Sequence, residues 1–286
     1  QYDASGSRLD TQFQVNTEFS STQSEPVITE LANGGFAMAA LTALTAQNTR
    51  GVAGVHLVPP AFVRLQVDTV FEDVAVHGVK IGMVGDAAIA AAVAEALEGQ
   101  RDAGRLPPVV LDPVMVASTG ARLLDDAAVE TIVTRLMPLA TVVTPNLREL
   151  AALTGAEPAT DRAAMQAQAE RLIAAGAAAV LAKGGHMGSD ASPDLLIAEG
   201  TRQWYEGARV ATRNTHGTGC SLGSALATWL GRGLALAEAA GRAKTFIARA
   251  IAESDALDVG HGHGPVHHFG ALYAAAGLAP ASKDSA

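Results

Sequence analysis

Thr141-Val142-Val143-Thr144-Pro145-Asn146 is a β-branched run that stops at a proline and passes directly into an amphipathic segment at 147–153. The same break recurs twice. Val109-Val110-Leu111 gives way to Asp112-Pro113, and Ala179-Val180-Leu181 leads to Lys183-Gly184-Gly185. Apolar residues at helical spacing predict helices at 86–99, 125–136, 147–153, 161–175, 218–231 and 236–254. From Gly51 onward, then, short strands alternate with helices, which predicts a doubly wound α/β domain: a mostly parallel central sheet with helices on both faces. Leu195-Leu196-Ile197 and Arg209-Val210-Ala211 read as later strands forming an edge hairpin. In open α/β sheets ligands bind beyond the carboxyl ends of the strands, so Asp112, Asn146 and Lys183 are expected at one crevice.

The chain has 286 residues, 49% of them apolar and 17% charged, which suits one globular domain. Its formal charge of -9 sets up a field that repels nucleic acid and anionic membrane, so a small-molecule substrate is the expected partner. One cysteine excludes an internal disulfide. With no long apolar run and no signal-peptide pattern, the expected location is cytoplasmic. Only the first ten residues and the tail after Pro280 read as disordered.

Thr215-His216-Gly217-Thr218-Gly219-Cys220 runs into a helix whose Leu222, Ala225, Leu226, Trp229 and Leu230 share one face. Glycines let a turn bring N–H groups together, and the first N–H groups of a helix lack internal partners, so the two converge on an anion such as phosphate. A thiol at such a helix start has its thiolate favoured; the alternative is a buried, inert Cys220.

Asp112, Asn146 and Glu149 supply the hard oxygen ligands that magnesium prefers. Taken singly, Asn146 and Glu149 also have the spacing of a helix capping box. Lys183 is a cation within reach of a phosphate, or else a solvated strand end. The histidines of Gly260-His261-Gly262-His263-Gly264-Pro265-Val266-His267-His268 set no evident ligand geometry, and no metal is expected there.

Together these pieces resemble the hydroxymethylpyrimidine/phosphomethylpyrimidine kinases of thiamine biosynthesis, within the ribokinase-like fold. The markers run from about Gly34 to Phe269: Thr42-Ala43-Leu44 through Gln47-Asn48-Thr49, Lys80-Ile81-Gly82-Met83, Leu111-Asp112-Pro113-Val114-Met115, Thr144-Pro145-Asn146 with Glu149, Lys183-Gly184-Gly185-His186, the Thr215–Cys220 turn, and Val259-Gly260-His261-Gly262 with Gly264-Pro265-Val266-His267-His268. The resemblance implies ATP and Mg2+ as cofactors and a homodimer. It implies that Gln47 hydrogen-bonds the aminopyrimidine while Met83 and Val114 pack on its ring. Cys220 would lie nearest the attacking hydroxymethyl oxygen. Gly217, Thr218 and Gly219 would donate N–H groups to the transferring phosphoryl, with Thr215 beside the nucleotide, and Lys183 would neutralise its charge. Asp112 and Glu149 would hold magnesium, directly or through water.

Residues 1–33 depart from the family. Counting back from Gln47, Pro26 falls where the family has a pyrimidine-contacting aspartate, and Ser20 to Thr22 fall where it has a glycine-rich turn. Alternation over 11–19 predicts a strand, and Ser24 and Pro26 a short helix ending near Gly34. The expected organisation is an atypical segment 1–33, a kinase domain 34–270 and a tail 271–286. A flap is expected over Ala117 to Arg122. Two other readings remain open: a pyridoxal-type vitamin kinase of the same fold, and a catalytically weak nucleotide-binding protein with a damaged pyrimidine pocket.

Overall fold

The structure, a computed structural model, describes residues 28–30, 36–115, 124–185, 187 and 191–277. The strand expected over 11–19, the flap over 117–122 and the tail after Pro280 lie outside the described residues. The chain divides into two compact units, Gln1–Ala39 and Ala40–Ala286. In the first, β1 (Ile28–Glu30) and β2 (Phe36–Met38) pair antiparallel, with Ile28 in register with Met38 and Glu30 with Phe36. This corrects the short helix expected to reach Gly34. Ile28 and Thr29 are β-branched and favour extended backbone, and here they have a partner strand.

The second unit opens with an antiparallel hairpin of β3 (Ala43–Asn48) and β4 (Gly51–Leu57), followed by α1 (Pro60–Asp73). The main domain then runs β5 (Val79–Ile81), α2 (Ala87–Asp102), β6 (Val109–Leu111) and α3 (Asp126–Thr131), which continues as a π turn at Ile132–Leu136. Next come β7 (Val142–Val143), α4 (Leu147–Thr154), α5 (Arg162–Ala174), β8 (Ala179–Lys183), β9 (Asp194–Ala198) and β10 (Thr201–Tyr205). Helices α6 (Thr218–Gly231) and α7 (Leu236–Ala252) and the short α8 (Gly270–Ala275) follow.

One six-stranded sheet has the order β10-β9-β8-β7-β6-β5. Strands β5 to β8 are parallel, while β9 and β10 are added antiparallel at the edge. The period of two sorts the strand side chains onto two cores. Val109, Leu111, Val143, Val180 and Ala182 join the apolar side chains of α2, α3, α4 and α5 on one face. Val110, Val142, Ala179 and Leu181 join those of α6 and α7 on the other. Being buried on both faces, these strands read as continuous apolar runs.

Side-chain caps fix where the helices start. Asp86 accepts from the Ile89 N–H at 2.8 Å, Asp125 from Ala128 at 2.8 Å and Asp161 from Ala164 at 2.8 Å. At α4 the capping box forms in full: Asn146 accepts from the Glu149 N–H, and the Glu149 carboxylate accepts from the Asn146 N–H at 2.8 Å.

The expected strand 209–211 is not formed; the partner of β9 is β10, reached through Glu199 and Gly200, where Gly200 takes a φ of +67°. Trp204 and Tyr205 suit the pleat, and Gly200 supplies the turn that Arg209-Val210-Ala211 lacks.

Helix α6 carries a small residue every fourth position: Gly219, Gly223, Ala227 and Gly231. This stripe lies against β5 and β6. A Cβ on Gly231 would come within 2.9 Å of the His77 carbonyl oxygen, and one on Gly223 within 3.1 Å of Lys80 Cε. From the other side, a Cβ on Gly78 would stand 2.7 Å from the Ala227 carbonyl oxygen. The helix therefore approaches the sheet at a distance only glycine and alanine permit. Gly78→Ala should lower unfolding free energy by ~1–3 kcal/mol, since backbone rather than a movable side chain stands in the way. Gly99→Ala, in α2 with open space around it, should raise stability by up to ~1 kcal/mol through helix propensity. Urea unfolding of the two variants checks both signs.

Candidate active site

The carboxyl ends of β6, β7 and β8 deliver three groups to one place. Asp112, one residue past β6, is 2% exposed, and its Oδ1 receives the Lys183 ammonium at 2.7 Å. Lys183 is the last residue of β8; its N–H donates to the Pro145 carbonyl at 2.8 Å, which ties the strand end to the turn after β7. Glu149, in the first turn of α4, places Oε2 4.0 Å from Lys183 Nζ. Two residues outside the expected set join them. Lys80, in the middle of β5, lies 3.6 Å from Asp112 Oδ2, and the Thr144 hydroxyl donates to Asp112 Oδ1 at 3.3 Å. Asp112 is thus a buried carboxylate between two ammonium groups.

Burial alone would lower the Lys183 pKa, but Asp112, Glu149 and Cys220 outweigh it and hold the ammonium above the ordinary lysine value. Glu149 shows the opposite balance. Desolvation pushes its carboxyl up to about 7, against the pull of Lys183 and of the Asn146 N–H. Its capping role and its place at the crevice are one arrangement, because the capping bond presents the carboxylate toward Lys183.

The turn before α6 closes over this cluster. Gly217 is the N-cap, with a φ of +84°, and a Cβ on Gly219 would lie 3.2 Å from Lys183 Nζ and 3.7 Å from Asp112 Oδ2. The Thr218 N–H bends back to the Thr215 carbonyl at 3.3 Å, as does its hydroxyl at 2.7 Å. Among the described residues the N–H groups of Gly217, Gly219 and Cys220 have no protein acceptor. Of the expected donors, the Thr218 N–H is thus engaged within the turn, while those of Gly217 and Gly219 are open. Cys220 is exposed, so the buried, inert alternative does not hold.

Of the expected substrate residues, Gln47 meets His216 next to the glycine turn and Val114 adjoins Asp112. Gln47 follows a bulge in β3, and its Nε2 stands 3.4 Å from His216 Nε2. The Thr42 hydroxyl donates to the Met83 carbonyl at 2.7 Å, fixing the base of the hairpin to the loop after β5. Val114 follows Asp112 in a tight turn, its N–H bonded to the Asp112 carbonyl at 2.8 Å. Met83 and Val114 are both half-buried.

Behind Lys183 stands a second buried ion pair. Asp194 is in register with Lys183 on the neighbouring strand, accepts from the Gly184 N–H at 3.0 Å and pairs with Lys244 of α7 at 2.8 Å. Lys244 also donates to the Ser192 carbonyl at 2.6 Å. The pair fixes the turn immediately after Lys183. No local pattern announces it, since only the topology brings α7 to this strand end.

Two measurements follow. Lys244→Met leaves the Asp194 carboxylate buried and unpaired, which should cost ~3–5 kcal/mol in urea unfolding. For Glu149, the folded carboxyl at about 7 holds a proton that the unfolded chain, near 4.5, has already lost. Its contribution is therefore favourable below pH 4.5 and is lost as pH rises through 7, amounting to about 3 kcal/mol. Glu149→Gln should be more stable than the parent at pH 8 and nearly equal at pH 4.5.

A family model for phosphomethylpyrimidine kinase matches residues 27–267, beginning ahead of Gly34 where the sequence markers begin. The hydroxymethylpyrimidine/phosphomethylpyrimidine kinase of Escherichia coli (strain K12) is 45% identical over 242 residues, covering 85% of this chain and 90% of that protein. Among solved structures, the phosphomethylpyrimidine kinase from Clostridium difficile 630 superposes with a TM-score of 0.65 at 32% identity, covering 77% of this chain and 88% of the other. The pyridoxal kinase from Staphylococcus aureus in complex with ADP gives 0.72 at 29% identity, with 80% and 81% covered. The chain has a ribokinase-like fold and is a kinase; it belongs to the phosphomethylpyrimidine kinase family.

Proposed function

We propose that the protein uses Mg-ATP to phosphorylate 4-amino-5-hydroxymethyl-2-methylpyrimidine, and then its monophosphate to the diphosphate, in thiamine biosynthesis. The observation that carries this reading is the placement of Gly219 directly over the Lys183–Asp112 pair, within a chain 45% identical to a kinase of that name. In the first reaction the hydroxymethyl oxygen attacks the terminal phosphorus, a new O–P bond forms as the bond to ADP breaks, and the hydroxyl proton leaves toward Cys220; in the second, an oxygen of the monophosphate is the attacking atom. Phosphoryl transfer asks little covalent chemistry of the protein, so position and charge supply most of the acceleration. The free N–H groups of Gly217, Gly219 and Cys220 hold the transferring oxygens, with Thr215 at the nucleotide side of the turn. Lys183 exchanges Asp112 for the phosphate.

Asp112 and Glu149 fit a magnesium site: they are two hard oxygen donors flanking one ammonium, at 2.7 and 4.0 Å. With two protein donors, the ion would keep several waters and take phosphate oxygens. When bound, magnesium neutralises charge developing on the phosphates. Gln47 orients the pyrimidine between Met83 and Val114, apolar walls with one directing polar group.

The kinase domain spans 34–270, flanked by segment 1–33 and tail 271–286. We further propose a cytoplasmic homodimer; exposed Leu44, Val52 and Val55 of the hairpin with Phe62 and Leu65 of α1 support self-association. No described helix is long and apolar enough to cross a membrane.

The pyridoxal kinase likeness in three dimensions supports a second substrate to be run in competition. Mass spectrometry of products formed with Mg-ATP should show pyrimidine diphosphate formed faster than pyridoxal phosphate. The reverse order would transfer the assignment, and nucleotide binding without either product would mark a catalytically weak nucleotide-binding protein. Cys220→Ala should lower kcat by ~10²-fold and leave nucleotide affinity nearly unchanged; unaltered turnover would remove Cys220 from the catalytic groups.

A further inference from the structure

The glycine–histidine run 260–264 holds the tip of the β3–β4 hairpin. The His263 N–H donates to the Thr49 carbonyl at 2.8 Å, and the Gly262 N–H to the Thr49 hydroxyl at 3.1 Å. The two glycines are required by contact. A Cβ on Gly262 would overlap the Thr49 carbonyl oxygen and approach the Arg50 nitrogen at 2.8 Å, whereas one on Gly260 would overlap the Thr49 hydroxyl. The same run is bonded to the segment entering the anion turn. Gly264 donates to Asn214 Oδ1 at 3.1 Å and accepts from the His216 N–H at 3.1 Å, while the Val266 N–H returns to the His216 carbonyl at 3.2 Å. Asn214 is itself anchored on Asp255 at 2.9 Å, and Thr212 bonds the same carboxylate.

The hairpin needs such a hold. Its residues are mostly exposed, and two strands alone are marginal in water. Its base is tied to Met83 through Thr42, and its tip is tied to the 260–264 run. Gln47 lies two residues before Thr49, on the stretch between these ties.

We propose that residues 260–264 form a clasp that sets the distance between the substrate-recognising hairpin and the phosphate-binding turn, making Thr49, Gly260 and Gly262 positioning residues for the phosphate acceptor. The proposal rests on the reading of Gln47 as the residue that orients the pyrimidine. Releasing the clasp moves Gln47 relative to Cys220 while the Lys183–Asp112–Gly219 cluster, held by the sheet and α6, stays in place. The acceptor's KM then rises and that for ATP does not.

The two glycines meet different parts of Thr49, which gives the test its resolution. Gly262→Ala, Gly260→Ala and Thr49→Ala are made singly and as the two glycine–threonine pairs in the full chain. KM for hydroxymethylpyrimidine should rise by ~10-fold or more in each glycine variant, with KM for ATP within about twofold. Thr49→Ala removes the side-chain overlap in Gly260→Ala, but it also removes the hydroxyl that holds Gly262 and leaves the strained φ of +65° at 260, so it should restore only part of the loss. It should restore nothing in Gly262→Ala, where the overlap is with backbone. Hydrogen exchange should quicken over 43–57 in Gly262→Ala and stay unchanged in α6. If a glycine variant does not fold, Thr49→Val, which keeps the shape and removes the acceptor, should still raise the pyrimidine KM several-fold.

Equal rises for ATP and pyrimidine, or unchanged KM and exchange in an active parent, overturn the clasp. A parent that makes no pyrimidine phosphate yet shows faster hairpin exchange in Gly262→Ala overturns the substrate reading and leaves the clasp standing.

Discussion

Everything at the site depends on how closely α6 can lie on the sheet. Gly219, Gly223, Ala227 and Gly231 present a nearly bare backbone face, and β5 answers with Gly78. Side chains of ordinary size along this stripe would lift the helix by the width of a methyl group or more. The anion turn would then sit away from Lys183, and Lys80 would lose the wall that keeps it beside Asp112. Helix packing is here an electrostatic device. It brings the positive end of α6 to two partly buried lysines, with Asp112 and Glu149 to balance them.

The same parsimony explains why so little of the site is devoted to holding substrate. The parallel strands supply Asp112 and Lys183 from rigid ends, and α4 supplies Glu149 through its own cap. These positions cost no loop ordering. The acceptor side, on the proposed role of Gln47, is different in kind: Gln47 stands on a hairpin with no core of its own, reached through a bulge. One half of the crevice is set by the sheet, the other by contacts between loops.

What could be read from the sequence follows this division. Strands β6 to β9 were legible because both their faces are buried, giving short apolar runs that end at polar residues. Helices α2, α4, α5, α6 and α7 were legible to within a few residues because an Asp or Asn cap, or an apolar face, marks them. Hairpin β3–β4 and helix α1 leave Leu44, Val52, Val55, Phe62 and Leu65 exposed, so their apolar residues do not report an inward face. Strand β10 escaped notice because exposed Arg202 and Gln203 interrupt it, while Val210 drew attention to a segment that does not pair. At the site, Asp112 and Lys183 were visible as residues that follow strands, Glu149 by its spacing from Asn146, and the glycine turn by its run into an apolar helix. Lys80 was hidden inside a strand, and the Asp194–Lys244 pair has no spacing at all; each is made only by tertiary contact.

The resting state of Lys183 has a consequence for what the enzyme admits. Its ammonium is already neutralised by Asp112 at 2.7 Å in a buried setting. A bare anion that drew Lys183 away would leave the Asp112 carboxylate with Lys80 and the Thr144 hydroxyl, and the desolvated charge left behind would offset the new contact. On the proposed function, a polyphosphate arriving with its own cation would satisfy both halves of the broken pair at once, and the closed pair would then favour metal-complexed nucleotide over free phosphate and uncomplexed nucleotide.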